Sequence, residues 1–454
     1  MLKNITNIIQ NYCSYDNINK EKNLVRNKPN GIQINDVIYY RLAQSETDQT
    51  KCRIVCEINR KNNTTFVRQA YEKKERSIPV RIYEEILNAL KNLYNAYYGN
   101  NNEEKLIAID GTYNNDINMK DNLNMGFFSI SDNIPIDITN CGKENKNKEI
   151  KSTIEYVNQN IDIFKNNIVV CDRGYYSYEF LQFLIDSEIK FIIRAKGDAQ
   201  ILQTNTKLYK STPKYDTIVK LRKNVKIIKF DNVLEKDIYI SNSKKKNVKH
   251  NVTIQNDCTL ITNIIDDEQD DHKIMEIYKS RWDIEIFFKL IKSNLKFQHV
   301  KESDDDQIQK LYICDMIIIY ISRLIDKYNE NKNKIYEPSR NNKDYTFKTN
   351  KTKIIDGIFD QLLWKLTHND IDQETINKFC GIYISIVQNK RNRSFPRSAK
   401  TPFLKWYVKG YSNETKYMKI INAILNSSVD KLNKNLKVIA KRIKSIDGTK
   451  LELK

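Results

Sequence analysis

Three acidic residues are the side chains best placed to do chemistry in this chain. Asp110 and Asp172 each follow a short apolar run and each precede turn residues, whereas Glu285 lies in a stretch without Gly or Pro. Three carboxylates that converge cannot all stay ionised without a cation. The pattern therefore suggests a site for Mg²⁺ or Mn²⁺, which prefer oxygen ligands and act on phosphate groups. Taken singly, either aspartate could instead be a turn-capping residue.

Glu285 shares one face of a predicted helix with three other functional side chains. Apolar residues recur at helical spacing from Tyr278 to Lys292. Tyr278, Arg281, Glu285 and Lys292 are spaced three, four and seven apart, which places them in an arc of about 60° along about 21 Å of helix. One acid between two bases suits a metal ion flanked by phosphates. The alternative is a solvated charged face with an Arg281–Glu285 pair.

The two aspartates require strands to position them. Apolar runs at 106–109 and 168–171 predict buried strands that end in Asp110 and Asp172, and neighbouring strand ends would bring both side chains together. The full predicted order is strand 106–109, hairpin 125–139, helix 149–164, strand 168–171, helix 177–187 capped by Ser177, and strand 191–194. This is the order of a ribonuclease-H-like domain. The predicted fold class is α/β, with a mixed five-stranded sheet and flanking helices.

Hydrophobic pattern and composition divide the chain into regions. The predicted regions are a helical, DNA-binding N-terminal region at 1–104, the core at 105–196 and 267–330, a β-rich insertion at 197–266 that includes a strand at 217–221, and a helical basic region at 331–454 for DNA binding or dimerisation. Helices are expected at 4–12, 36–43, 79–99, 358–366 and 376–387, a buried helix at 311–325 that Ser303 precedes as N-cap, and a loop at 329–352.

Charge and composition point to a polyanionic partner. The 454 residues carry a net charge of +19 and a pI near 9.2, so nucleic acid is the first candidate and ordinary solubility charge is the alternative. Basic residues interleave with aromatic ones after residue 389, an arrangement suited to phosphate contacts and base stacking. The candidate DNA-binding residues there are Arg391, Arg393, Arg397 and Lys400, and Arg173 is a weaker candidate in the core.

Several classes of function lack their usual patterns. The glycines have neither P-loop nor dinucleotide spacing, so no nucleotide cofactor is expected. No apolar run of 18 residues and no leader-like opening occur, so no membrane is expected. Scattered histidines disfavour a paired-His nickase, and the cysteines are expected to be reduced inside a cell.

The acidic motifs resemble those of a known family. Asp110-Gly-Thr112, Asp172-Arg-Gly-Tyr175 and the Tyr278, Arg281, Glu285, Lys292 set resemble the three signatures of the DDE transposases of bacterial-type insertion sequences, in the group with a Tyr-Arg-Glu-Lys motif. The resemblance covers about 105–300 and includes a strand-rich insertion before the glutamate. It implies that Asp110, Asp172 and Glu285 are catalytic metal ligands for two Mg²⁺ or Mn²⁺ ions. It also implies that Tyr278, Arg281 and Lys292 contact phosphates.

The same resemblance implies an activity and partners. The expected reaction is metal-dependent DNA cleavage followed by strand transfer, carried out by a dimer or larger assembly on transposon ends and target DNA. Two alternatives remain open. One is a decayed or domesticated copy that binds DNA without cutting it, and the other is a ribonuclease-H-like nuclease without strand transfer. The expected location is with the DNA, in the cytoplasm or nucleoid of a prokaryote, or in a nucleus or viral factory.

Overall fold

The computed structural model describes most of the chain up to residue 388. The described residues are 1–19, 31–46, 50–99, 103–113, 122–143, 148–195, 221–234, 255–264, 271–295, 297, 304–333, 345–372, 374–375 and 384–388. Helices within these ranges are all too short or too polar to cross a membrane.

A seven-stranded mixed sheet organises the described chain. Its strands are β1 (Leu106–Tyr113), β2 (Asn122–Ser129), β3 (Ile134–Lys143), β4 (Ile168–Cys171), β5 (Lys190–Arg194), β6 (Lys226–Leu234) and β7 (Gln255–Thr262). They lie in the order β3-β2-β1-β4-β5-β7-β6. Strands β1, β4 and β5 are parallel, and β2 and β3 form an antiparallel hairpin on the edge of β1. The order and directions of β1 to β5 confirm the predicted ribonuclease-H-like core.

The predicted sheet of five strands was too small. Strand β7 pairs antiparallel with β5, and β6 pairs antiparallel with β7, so both described strands from the region 197–266 extend the core sheet. Leu260 and Ile261 on β7 are completely buried, which makes β7 an interior strand of the molecule. Leu221 lies in a helical turn at 221–223 and not in the predicted strand, whose other residues lie outside the described ones.

Helices cover both faces of the sheet and build the N-terminal region. They are α1 (Leu2–Tyr12), α2 (Tyr15–Ile18), α3 (Ile34–Ala43), α4 (Lys51–Asn62), α5 (Arg68–Arg76), α6 (Val80–Tyr98), α7 (Lys148–Gln159), α8 (Ile161–Lys165), α9 (Tyr178–Asp186), α10 (Asp271–Ser280), α11 (Trp282–Asn294), α12 (Asp305–Asn333), α13 (Lys351–Gly357) and α14 (Leu363–His368). A π-helical turn, Ile358–Leu362, joins α13 to α14. The helices predicted at 4–12, 36–43 and 79–99 are confirmed.

One apolar core joins the N-terminal helices to one face of the sheet. It includes Ile38 of α3, Ile86 of α6, Phe287 of α11 and Ile317 of α12, all at most 2% exposed. Tyr94 of α6 also packs edge-on against a tyrosine of α12, with ring centroids 6.1 Å apart. The helix α12 therefore packs against the N-terminal helices and the sheet at once. Its apolar middle confirms the predicted buried helix at 311–325.

Two sequence predictions around the C-terminal helices were wrong. The predicted loop at 329–352 contains the end of α12 and a strand, β8 (Tyr345–Thr349). The last residues of the predicted helix at 376–387 lie in β9 (Ile384–Gln388), which pairs antiparallel with β8, whereas 376–383 lie outside the described residues. The alternating β-branched residues of β9 favour a strand that the helical spacing concealed. At the start of α12 the Asp304 carboxylate accepts the Gln307 N–H at 3.2 Å, and Ser303, the predicted N-cap, lies outside the described residues.

Ser177 fixes the start of the helix that follows Asp172. Its hydroxyl accepts the backbone N–H of Phe180 at 3.1 Å, as the sequence predicted. We expect Ser177→Ala to lower the free energy of unfolding by about 1 kcal/mol, because one N–H of the first turn loses its partner. Denaturant unfolding measures this change. Ser187→Ala, at the other end of α9, is the matched control, and an equal loss in both variants would contradict the capping role.

Candidate active site

The register of two parallel strands places Asp110 next to Asp172. Ile109 of β1 is opposite Cys171 of β4, so the following residue of each strand is an aspartate at the same level of the sheet. Adjacent strands lie about 4.8 Å apart. Strand β1 continues to Tyr113 against β2, so Asp110 lies within a strand and not at its end as predicted.

Local hydrogen bonds hold both aspartates. Asp172 Oδ1 accepts the Gly174 N–H at 2.7 Å and so begins the short 3₁₀ helix Arg173–Tyr175. Asp110 Oδ1 accepts the Gly111 N–H at 2.9 Å. Each carboxylate therefore has one oxygen bound by the turn or strand that follows it, and its orientation is restricted before any ligand arrives.

The predicted single helix from Tyr278 to Lys292 is two helices. Helices α10 and α11 meet at Arg281, whose backbone stays in the right-handed helical region. The Arg281 N–H bonds to the carbonyl of Tyr278 at 3.1 Å, so the junction is a tight turn rather than a loop. Without Gly or Pro at this position, the sequence offers no signal for the break.

Arg281 links two of the three predicted acids. Its guanidinium donates to Glu285 Oε1 at 2.7 Å and lies 3.9 Å from Asp110 Oδ2. The residue is 5% exposed and sits 6.0 Å from the ring centroid of Tyr278. Arg281 therefore brings the α11 glutamate and the β1 aspartate together across one positive charge.

The charge balance at Asp110 is unfavourable to an isolated carboxylate. Burial first, and then the charge of Asp172, raise the pKa of Asp110 from 3.8 to about 8. Arg281 lowers the pKa, whereas Glu285 and Glu149 raise it further. One guanidinium does not compensate for three neighbouring acids. The position is therefore short of positive charge.

Glu149 is an acid at this site that the sequence reasoning missed. It lies in the first turn of α7, and its Oε1 would be 2.5 Å from a Cβ built on Gly111. A side chain at position 111 would therefore require the Glu149 carboxylate and the Leu123 side chain to shift. The available signal was the Asp110-Gly111 pair itself, because a glycine within a strand often marks a close approach by another group.

The other predicted DNA-binding residues have different environments. Tyr278 is 3% exposed, and burial raises its pKa to about 12 against the opposing charges of Arg281 and Arg194. Arg194, at the end of β5, is a cation beside the motif that was not predicted. Burial lowers the pKa of Lys292, and the attraction of Asp110 opposes that change. Arg173 is exposed.

Four of the predicted DNA-binding residues fall outside the described part of the chain. They are Arg391, Arg393, Arg397 and Lys400. The contact of these residues with DNA stays a prediction.

The donor set suits a divalent cation in its chemistry. Within the described ranges, no three acidic, histidine or cysteine side chains already converge on one point as metal ligands do. Arg281 instead stands between Glu285 and Asp110. Carboxylate oxygens are the ligands that Mg²⁺ and Mn²⁺ prefer, and a cation would supply the charge that Asp110 lacks.

Comparison with known proteins agrees with this geometry. Residues 133–320 match a family model described as a transposase DDE domain. A protein of Synechocystis sp., named for the transposase of insertion sequence element IS4SA, is 28% identical over 134 residues, which are 27% of this chain and 38% of the relative. The predicted resemblance to the DDE transposases is confirmed. The DDE domain match contains Asp172 and Glu285, whereas Asp110 precedes it.

One solved transposase structure aligns with most of the chain at low similarity. The cryo-EM structure of the piggyBac transposase synaptic complex with hairpin DNA gives a TM-score of 0.43 at 9% identity, over 87% of this chain and 85% of that one. The strand order and register of the sheet, and not this similarity, identify the fold.

Proposed function

We propose that this protein is a transposase that cleaves DNA at the ends of an insertion-sequence element and transfers the released strand to target DNA. The observation that carries the proposal is the placement of Asp110, Asp172 and Glu285. Strand register sets Asp110 beside Asp172, and Arg281 pairs with both Glu285 and Asp110. The family match over 133–320 supports it. The reaction takes place wherever the element's DNA resides.

Asp110, Asp172 and Glu285 would hold one or two Mg²⁺ or Mn²⁺ ions. When bound there, a divalent cation would supply the charge that polarises the scissile phosphate and would lower the pKa of the attacking hydroxyl. Arg281 orients Glu285 through its 2.7 Å hydrogen bond, and Tyr278 packs beneath the guanidinium. Two copies of the chain, one on each element end, would make the paired complex that strand transfer requires.

Cleavage and joining on labelled DNA test the proposal. The substrate is a duplex that carries the element's ends, incubated with the protein and Mg²⁺ or Mn²⁺, or with EDTA. Metal-dependent nicks followed by joined products would support a transposase. Nicks without joined products would favour a nuclease, and tight binding without nicks would favour a DNA-binding protein, so either of these results overturns the proposal.

Lys292 is proposed to contact a phosphate of the bound end. It lies on α11, half-buried and within reach of the charge of Asp110. We expect Lys292→Ala to weaken DNA binding and to reduce the slope of log affinity against log salt by about 1, because one counterion release is lost. Fluorescence anisotropy over a salt series measures both. Lys289→Ala, an exposed position on the same helix, is the control, and an unchanged slope for Lys292→Ala would argue against the contact.

A further inference from the structure

A small polar cavity lies between α3, α4, α5 and α12. Its volume is about 10 Å³, which suits one water molecule or one monatomic ion and leaves no room for a polyatomic anion. Its inner wall consists of side chains that are at most 5% exposed, and they are Tyr40, Arg41, Gln44, Glu75 and Gln307. The cavity therefore belongs to the packed interior that these helices share.

Two hydrogen-bond donors of this wall have no acceptor among the described residues. They are the hydroxyl of Tyr40 and the Nε–H of Arg41, and both atoms are buried. Glu75 Oε1 lies 3.6 Å from Arg41 Nε, which is too far for a hydrogen bond, and Arg41 Nη2 donates to the backbone carbonyl of Gln307. Buried donors in native proteins almost always have a partner. One acceptor inside the cavity would serve both.

Positive charge exceeds negative charge around the cavity. Arg41 and Lys310 are each 1% exposed and share one buried carboxylate, that of Glu75. Burial lowers the pKa of Lys310, Glu75 raises it, and Arg41 lowers it again. The more exposed lining residues add two cations and one acid, and they are Lys51, Arg76 and Glu72. Together these residues carry four cations and two acids.

We propose that this cavity is a binding site for one monatomic anion, chloride, held by the Tyr40 hydroxyl and the Arg41 Nε–H. Chloride accepts hydrogen bonds from both donors and balances part of the charge of Arg41 and Lys310. A water molecule would accept the same hydrogen bonds but would leave the excess charge in place, and a buried charge without a counter-charge is costly. The site does not depend on the proposed transposase reaction, because none of its residues belongs to the candidate active site.

The line width of the chloride NMR signal tests the site on the full chain without DNA or divalent metal. Bound chloride broadens the line, and added bromide displaces the ion and narrows it. Tyr40→Phe removes one donor and keeps the ring. Tyr71→Phe is the matched control, because it removes a buried hydroxyl from a ring packed 5.6 Å from that of Tyr40, centroid to centroid, that does not line the cavity.

We expect bromide-sensitive broadening in the parent chain and in Tyr71→Phe, and a chloride affinity about tenfold weaker in Tyr40→Phe, because a hydrogen bond to a charged acceptor is lost. Equal affinities in the two variants would overturn the proposal. So would a parent chain without bromide-sensitive broadening, which would assign the cavity to water.

A second pair of variants leaves the packed interior intact and decides the question if Tyr40→Phe does not fold. Arg76→Gln removes an exposed cation that lines the cavity and should weaken chloride affinity by about fivefold. Lys73→Gln removes an exposed cation of the same helix that does not line it, and should change the affinity by less than about twofold. Equal effects of the two changes would show a response to net charge alone and would overturn the site.

Chloride should also stabilise the fold if it binds the folded chain only. Replacing gluconate by chloride at constant ionic strength should raise the denaturant midpoint of the parent chain and of Tyr71→Phe, with a much smaller rise in Tyr40→Phe. Above the dissociation constant, each tenfold increase in chloride should raise the folding equilibrium constant by about tenfold. The same rise in all three chains would contradict the site.

Discussion

Asp110→Asn is expected to reduce metal-dependent DNA cleavage by more than about 100-fold, because loss of a metal ligand should exceed the cost of losing a group that only supports one. DNA binding should change little, since the phosphate contacts lie elsewhere. Asp162→Asn makes the same chemical change at an exposed position on α8 and serves as the control. Cleavage by Asp110→Asn at the rate of this control would remove Asp110 from the site.

The same variant should be more stable than the parent chain when metal is absent. The pKa of Asp110 is about 8 in the folded chain against 3.8 normally, so the folded state holds this proton more tightly. Its contribution therefore makes the free energy of unfolding fall as pH rises from about 4 to about 8. Asparagine does not titrate and removes that loss. We expect Asp110→Asn to be more stable by about 1 to 3 kcal/mol at pH 8 in EDTA, measured by denaturant unfolding.

The largest expected loss of stability comes from Glu75 of α5. Its carboxylate lies 3.2 Å from Lys310 Nζ and 3.6 Å from Arg41 Nε, and the three side chains are only 2 to 3% exposed. We expect Glu75→Gln to lower the free energy of unfolding by about 3 to 5 kcal/mol, because it leaves two buried cations without their shared anion. Denaturant unfolding of the full chain measures the change.

A neighbouring glutamate provides the control for Glu75. Glu72 lies on α5 with Glu75 and pairs with Lys51 of α4 at 3.4 Å, but its side chain is 25% exposed. Glu72→Gln should therefore lower the free energy of unfolding by no more than about 1 kcal/mol. Adding Lys310→Met to Glu75→Gln should restore part of the lost stability, since it removes one of the stranded charges. Equal losses at Glu72 and Glu75, or no recovery in the double variant, would contradict the buried pairing.

The sequence predicted the elements that depend on local patterns. The apolar runs before Asp110 and Asp172 are strands because their side chains are buried on both faces of the sheet, and buried strands have continuous apolar sequences. Ser177 and the apolar spacing of α6 likewise predict helix boundaries that lie only a few residues away. These signals are contained in the segment that folds.

What the sequence could not show depends on partners distant in the chain. Helix α5 was missed because only Tyr71 and Glu75 are buried along it, which leaves no apolar face to recognise. Arg281, at the junction of α10 and α11, pairs with Asp110 of a distant strand, and β7 joins the sheet through the edge of β5. The closeness of Glu149 to Gly111 likewise joins residues that are far apart in the sequence.

The core shared by α12 and the N-terminal helices sets the order of events during synthesis. Helices α3 and α5 are translated before the sheet. Their residues Arg41 and Glu75 nevertheless contact Gln307 and Lys310 of α12, which is translated after the whole sheet. Contacts between such distant segments form slowly, and unburied apolar faces invite association with other chains in the interval. In a nascent chain the apolar faces of the N-terminal helices therefore stay uncovered until α12 emerges. We expect chaperones that bind exposed apolar helices to bind this chain in that interval.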